Sequence, residues 1–80
     1  MDARKLVTMA NQIASFFATD PDAATAVAGV AGHLRRFWEP RMRRELLAVF
    51  DRGGEHGLHA LVVEALRVHR GELQPAAPTA

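Results

Sequence analysis

Residues 34–45 read LRRFWEPRMRRE, and the reading of this stretch decides whether the middle of the chain is one helix or two. The ring of Pro40 disfavours helical backbone at Glu39, while its own fixed φ suits the first position of a new helix. A helix therefore arrives at Trp38, the chain bends between Trp38 and Pro40, and a second helix leaves. The same stretch holds five arginines, a Phe, a Pro and the only Trp in the chain. On the arriving helix Arg35 and Arg36 fall outside the apolar stripe of Leu34, Phe37 and Trp38. On the departing helix Arg41, Arg44 and Arg52 point away from Met42, Leu46, Val49 and Phe50, with Arg43 at the border of that stripe. Leu34, Phe37, Trp38 and Met42 are thus expected to fix the bend, with the arginines outside it.

Working outward, residues 3–17 place Leu6, Val7, Met9, Ala10, Ile13, Ala14, Phe16 and Phe17 on one side of a helical wheel. Arg4, Lys5, Thr8, Asn11, Gln12 and Ser15 fall on the other, as a period of 3.6 residues requires. Asp20 is the expected N-cap of the second helix and Pro21 its first residue. That helix turns Val27, Val30 and Ala31 inward, with Thr25, Gly29, Gly32 and Arg36 outside. Gly29 and Gly32 each cost about 1 kcal/mol relative to Ala, tolerable as weakness or useful as a smooth surface for close approach. The third helix is expected over 40–52, ending at Gly53-Gly54, where a left-handed residue carries no Cβ penalty. A fourth spans about 58–69, with Leu58, Leu61, Val62, Ala65, Leu66 and Val68 on a wide apolar face. Leu47 and Val63 lie off their stripes and together would form an exposed apolar contact patch. After Gly71 the string ELQPAAPTA has no periodicity and two prolines. No stretch alternates as a strand does. The expected fold is all-α: a small bundle of about four short helices over residues 3–70, with a flexible C-terminal tail over 71–80.

Eighty residues bury little surface, and no cysteine is present to staple them. The absence of Cys fits a reducing compartment and rules out a thiolate nucleophile or thiolate metal site on this chain. The N-terminal stretch, with an early Asp and no small-residue cleavage site, reads as mature structure, and no apolar run is long enough to span a membrane. A cytoplasmic location is expected.

His56 and His59 share an i, i+3 spacing, but no third ligand stands at a dependable distance in sequence, and solvated loop and helix-start roles are expected for them. His33 and His69 flank apolar stripes. No phosphate loop, nucleophile elbow or Tyr is present, so catalysis by the chain alone is not expected. Three readings remain for the arginines. They are solvated charge paired with Glu39 or Glu45; a protein-docking surface, since Arg, Trp, Phe and Met form interface anchors; or a phosphate grip. Ten basic against nine acidic residues give a net charge of +1, which argues against a dedicated nucleic-acid binder. A small helical nucleic-acid-binding regulator is the alternative function, and it would bind with steep salt dependence.

Three phrases carry a resemblance: KLVTMANQIASFF at 5–17, VAGHLRRFWEPRMRRELL at 30–47 and GGEHGLHALVVEAL at 53–66. They are similar to the delta subunit of cytoplasmic NAD-dependent formate dehydrogenase, over roughly residues 5–67. The resemblance implies a non-catalytic accessory subunit supporting assembly, cofactor retention or stability of a formate dehydrogenase. Its partners would be a molybdenum- or tungsten-dependent catalytic alpha subunit together with beta and gamma subunits. Those subunits, and not this chain, would carry the molybdenum or tungsten cofactor, iron–sulfur clusters, FMN and NAD. The family offers no catalytic residue to carry over. The partner-binding residues expected are Arg35, Arg36, Phe37, Trp38, Arg41, Met42 and Arg44 at the bend, with Leu47 and Val63 as apolar contacts, and no nucleic acid or membrane as partner.

Overall fold

A computed structural model describes residues 2–75 and contains five helices: α1 (Ala3–Phe17), α2 (Ala23–Phe37), α3 (Pro40–Arg52), α4 (Ala60–Val68) and α5 (Arg70–Leu73). There is no strand among the described residues. α2 is the central element and packs chiefly on α4 and α1, and α1 also meets α3. The core gathers Leu6, Ala10 and Ala14 from α1, Val30, Ala31 and Leu34 from α2, Leu46 and Leu47 from α3, and Val62, Ala65 and Leu66 from α4. Each Leu fully removed from water contributes roughly 1.5–3 kcal/mol, so these few side chains carry most of the burial energy.

The bend forms as Pro40 requires. Glu39 is extended (φ −63°, ψ 152°), Pro40 opens α3, and Trp38 leaves α2 with φ −91° and ψ 133°. α1 starts at an Asp2 cap whose carboxylate accepts from the Arg4 N–H at 2.9 Å. α2 starts later than its sequence suggests. Its N-cap is Asp22, and Asp20 instead accepts from the Asp22 N–H at 2.8 Å, so Pro21 stands in the turn outside the helix. The competing interaction is this local Asp turn, which delays the helix by two residues.

α4 also starts later than the apolar pattern predicts, because the imidazole of His59 caps it. Nδ1 of His59 accepts the Leu61 N–H at 3.0 Å, and Nδ1 of His56 likewise accepts the Leu58 N–H at 3.1 Å. His56 therefore serves the backbone of the 53–59 connection and His59 the first turn of α4. Asn11 of α1 clamps that connection from the side, donating to the Gly57 carbonyl and accepting from the His59 N–H, both at 2.8 Å. Gly53 ends α3 with φ +69°.

The expected tail boundary at residue 71 needs correction. Residues 70–73 form a helical turn, Leu73 is 1% exposed in the core, and α5 packs on α2 and α4. Arg70 holds it to the end of α3 through a two-bonded pair with Asp51, at 2.8 and 2.7 Å. A single apolar residue without periodicity gave no sequence signal for this. The rest of the expected tail, residues 76–80, lies outside the described residues.

Candidate interaction face at the α1–α2 end

Among the described residues three large apolar side chains remain exposed: Phe16 at 70%, Phe37 at 71% and Val68 at 55%. All three were expected on the apolar faces of their helices. Each phenylalanine is at or next to the last residue of its helix, where a neighbour takes the interior place instead. At the end of α1 it is Phe17 that packs against the core, leaving Phe16 outside. At the end of α2, Trp38 departs in extended conformation and is buried, while Phe37 lies over His33, one helical turn back, with ring centroids 4.8 Å apart.

The result is a continuous row of rings. Phe16 meets Phe17 edge-on at 5.1 Å, Phe17 meets His33 at 6.5 Å, and His33 meets Phe37. Two open grooves flank this row and share Phe17 and His33. One, of about 430 Å³, is walled by Met9, Gln12, Ile13 and Phe16 of α1 and by Trp38. The other, of about 340 Å³, is walled by Ala28, Gly29, Gly32, Arg36 and Phe37. The two grooves, divided by the Phe17 and His33 rings that wall both, form a double trough along the α1–α2 face.

Gly29 makes this surface possible. A Cβ there would stand 2.4 and 2.6 Å from the Phe17 ring carbons Cδ1 and Cε1, so the ring occupies the space a side chain would need. Close approach was one of the two sequence readings for the glycines, and it holds for Gly29 with a ring rather than a backbone as the neighbour. Gly32 meets nothing within 4 Å.

The arginines of the bend point outward, as their wheel positions predict. Arg35, Arg36, Arg41 and Arg44 are exposed, and Arg43 is half-buried with its Nε enclosed and without a hydrogen-bond partner. Among the described residues the ion pairs are Arg4–Asp2, Arg67–Glu64 and Arg70–Asp51, with His69 in contact with Glu72 at 3.3 Å, so Glu39 and Glu45 pair with none of the bend's arginines. The pairs that do form shift their acids: Arg70 holds the Asp51 carboxyl below its ordinary value, and Arg67 does the same to Glu64. The Thr25 hydroxyl is the main cause of a similar lowering at Asp22.

The remaining residues expected at a contact surface are distributed differently. Met42 is half-buried against the core, and Leu47 is only 4% exposed within it. α3 touches both α1 and α4, so its buried arc is wider than one stripe and takes in Leu47. Val63 is half-buried on α4. The exposed Leu47–Val63 patch therefore does not form. The trough brings together Arg36, Phe37 and Trp38 from the expected set, and adds Phe16, Phe17, His33 and the α1 wall. The signal available for these was the Phe16-Phe17 doublet at the end of α1, two large rings about 100° apart on the wheel, of which the small core takes in only one.

The fold and this face define a small all-α protein that presents an open aromatic trough. Among its described residues, no three of His, Asp and Glu converge to hold a metal, and no helix is long and apolar enough to cross a membrane. The chain belongs to the family of the NADH-dependent formate dehydrogenase delta subunit FdsD, whose family model matches residues 5–66. No curated protein and no solved structure matches it. The matched span runs from α1 almost to the end of α4 and contains the whole trough.

Proposed function

We propose that this chain is a non-catalytic accessory subunit of a cytoplasmic NAD-linked formate dehydrogenase, and that it supports assembly, cofactor retention or stability of the catalytic subunit. The enzyme's other subunits, a catalytic alpha chain with beta and gamma chains, carry the molybdenum or tungsten centre, the iron–sulfur clusters, FMN and NAD. The observation that carries this reading is the face built from Phe16, Phe17, His33 and Phe37, with the unpaired arginines of the bend beside it. A domain this small gains by covering such a face, because apolar area left in water contributes nothing to its marginal stability.

The two histidines with i, i+3 spacing, His56 and His59, accept backbone N–H groups at Nδ1 and so serve the local fold. Deletion of this chain tests the reading. Loss of formate:NAD activity, of metal content or of complex integrity in the remaining subunits is the expected outcome. A complex unchanged in all three refutes it.

A further inference from the structure

We infer that the α1–α2 trough receives an acidic helical segment of a partner protein, its apolar side chains along the rings and its carboxylates against the arginines of the bend. This deepens the subunit reading and rests on it. The first argument is charge. Between Arg35 and Arg44 there are five arginines and one acid, Glu39, while the rest of the chain carries five basic and eight acidic residues. A nearly neutral protein is thus strongly polarised, and its cationic corner adjoins the trough through Arg36. None of these arginines is in an ion pair within the described chain.

The second argument is shape. The trough lies between two helices joined by a short turn, the usual seat for an amphipathic helix read through anchors at i, i+3 or i+4 and i+7. Its apolar wall of Met9, Ile13 and Phe16 asks for aliphatic or aromatic anchors, and Gln12 and His33 offer the polar contacts. A phosphate backbone would engage the arginines and leave this wall unfilled. A second copy placed by a twofold axis would offer the arginines only this same trough, whose walls hold no acid, and leave their charge unmatched.

The test uses the full chain and formate dehydrogenase assembled from the remaining subunits. Binding of the chain is titrated at several NaCl concentrations, and a photo-crosslinking phenylalanine analogue at position 37 maps the contact. Arg35→Glu with Arg36→Glu is expected to weaken binding by ~10-fold or more at low salt and by less at high salt. Phe16→Ser with Phe37→Ser is expected to weaken it by ~30-fold at all salt concentrations. Val68→Ser, on the exposed part of α4, leaves binding unchanged. The crosslink falls in an acidic helical segment of another subunit. All of these variants are at exposed positions, and circular dichroism checks that each stays helical.

If the parent chain binds and the arginine and phenylalanine variants bind equally well, the trough assignment is overturned and the subunit reading stands. If the parent chain does not bind, both fall. A crosslink to a second copy, to nucleic acid or to a segment without acidic residues overturns the inference.

Discussion

The two ends of this bundle are completed to different degrees. At the end formed by the 53–59 connection and α5, polar groups find partners within the chain: Asn11 bridges Gly57 and His59, two imidazoles cap backbone N–H groups, and Arg70 grips Asp51. At the α1–α2 end, rings stand in water and the bend's arginines have no carboxylate partner among the described residues. Both ends carry arginine or histidine, but eight of the nine acids that could pair with them lie outside the stretch 35–44. What separates them is whether the chain itself supplies the second half of each interaction.

The contrast predicts opposite mutational responses. Leu73→Ala removes a fully buried side chain from the completed end and is expected to cost about 2–5 kcal/mol in urea unfolding. Phe37→Ser removes a ring of similar or larger size from the open end and should change stability by no more than about 0.5 kcal/mol. Equal losses would mean that the ends do not differ. Next in size, Asn11→Ala leaves the Gly57 carbonyl and His59 N–H without their partner, and a loss of about 1–3 kcal/mol is expected from the same measurement.

The two glycines of α2 sharpen the comparison because one lies under a ring and the other does not. Gly32→Ala gains helix propensity in open space and should raise stability by up to about 1 kcal/mol. Gly29→Ala makes the same gain but must displace the Phe17 ring, with an overpacking cost of about 1–3 kcal/mol, so a net loss is expected. A rise for both would show that Phe17 yields freely.

The smallest effect concerns acid. The folded-state pKa of Asp51 lies below its unfolded value because Arg70 stabilises the carboxylate. The stabilisation is therefore fully present above the unfolded value near 3.8 and is lost as pH falls through the folded value. Arg70→Gln should lower stability by a small, even amount above that unfolded value and converge on the parent as pH falls through the folded value, giving a flatter acid limb; the exposure of the pair keeps the difference small. An unaltered acid limb would assign the docking of α5 to Leu73 alone.

Much of this fold is legible in the sequence. The limits of α1 and α3, the bend at Pro40 and the outward arginines follow from periodicity and proline geometry. Helix starts are less legible where a polar side chain outcompetes the simple cap, as Asp20 does by accepting from the Asp22 N–H and His59 by capping one residue past the first apolar position. Position on a wheel misassigned Phe16, Phe37 and Leu47, because it knows neither where the core ends along a helix nor how many neighbours that helix has. The trough was visible only in part for the same reason: its α1 wall and the seat of Phe17 on Gly29 are tertiary facts between residues twelve apart.

The claim that the α1–α2 end is the partner face is tested most directly by covalent surface labelling of the chain, free and assembled with the other formate dehydrogenase subunits. The account predicts that Phe16, His33 and Phe37 lose reactivity on assembly, while His56 in the 53–59 connection and Glu72 in α5 keep theirs. Protection at the 53–59 connection and α5, with Phe16 and Phe37 still reactive, would contradict it.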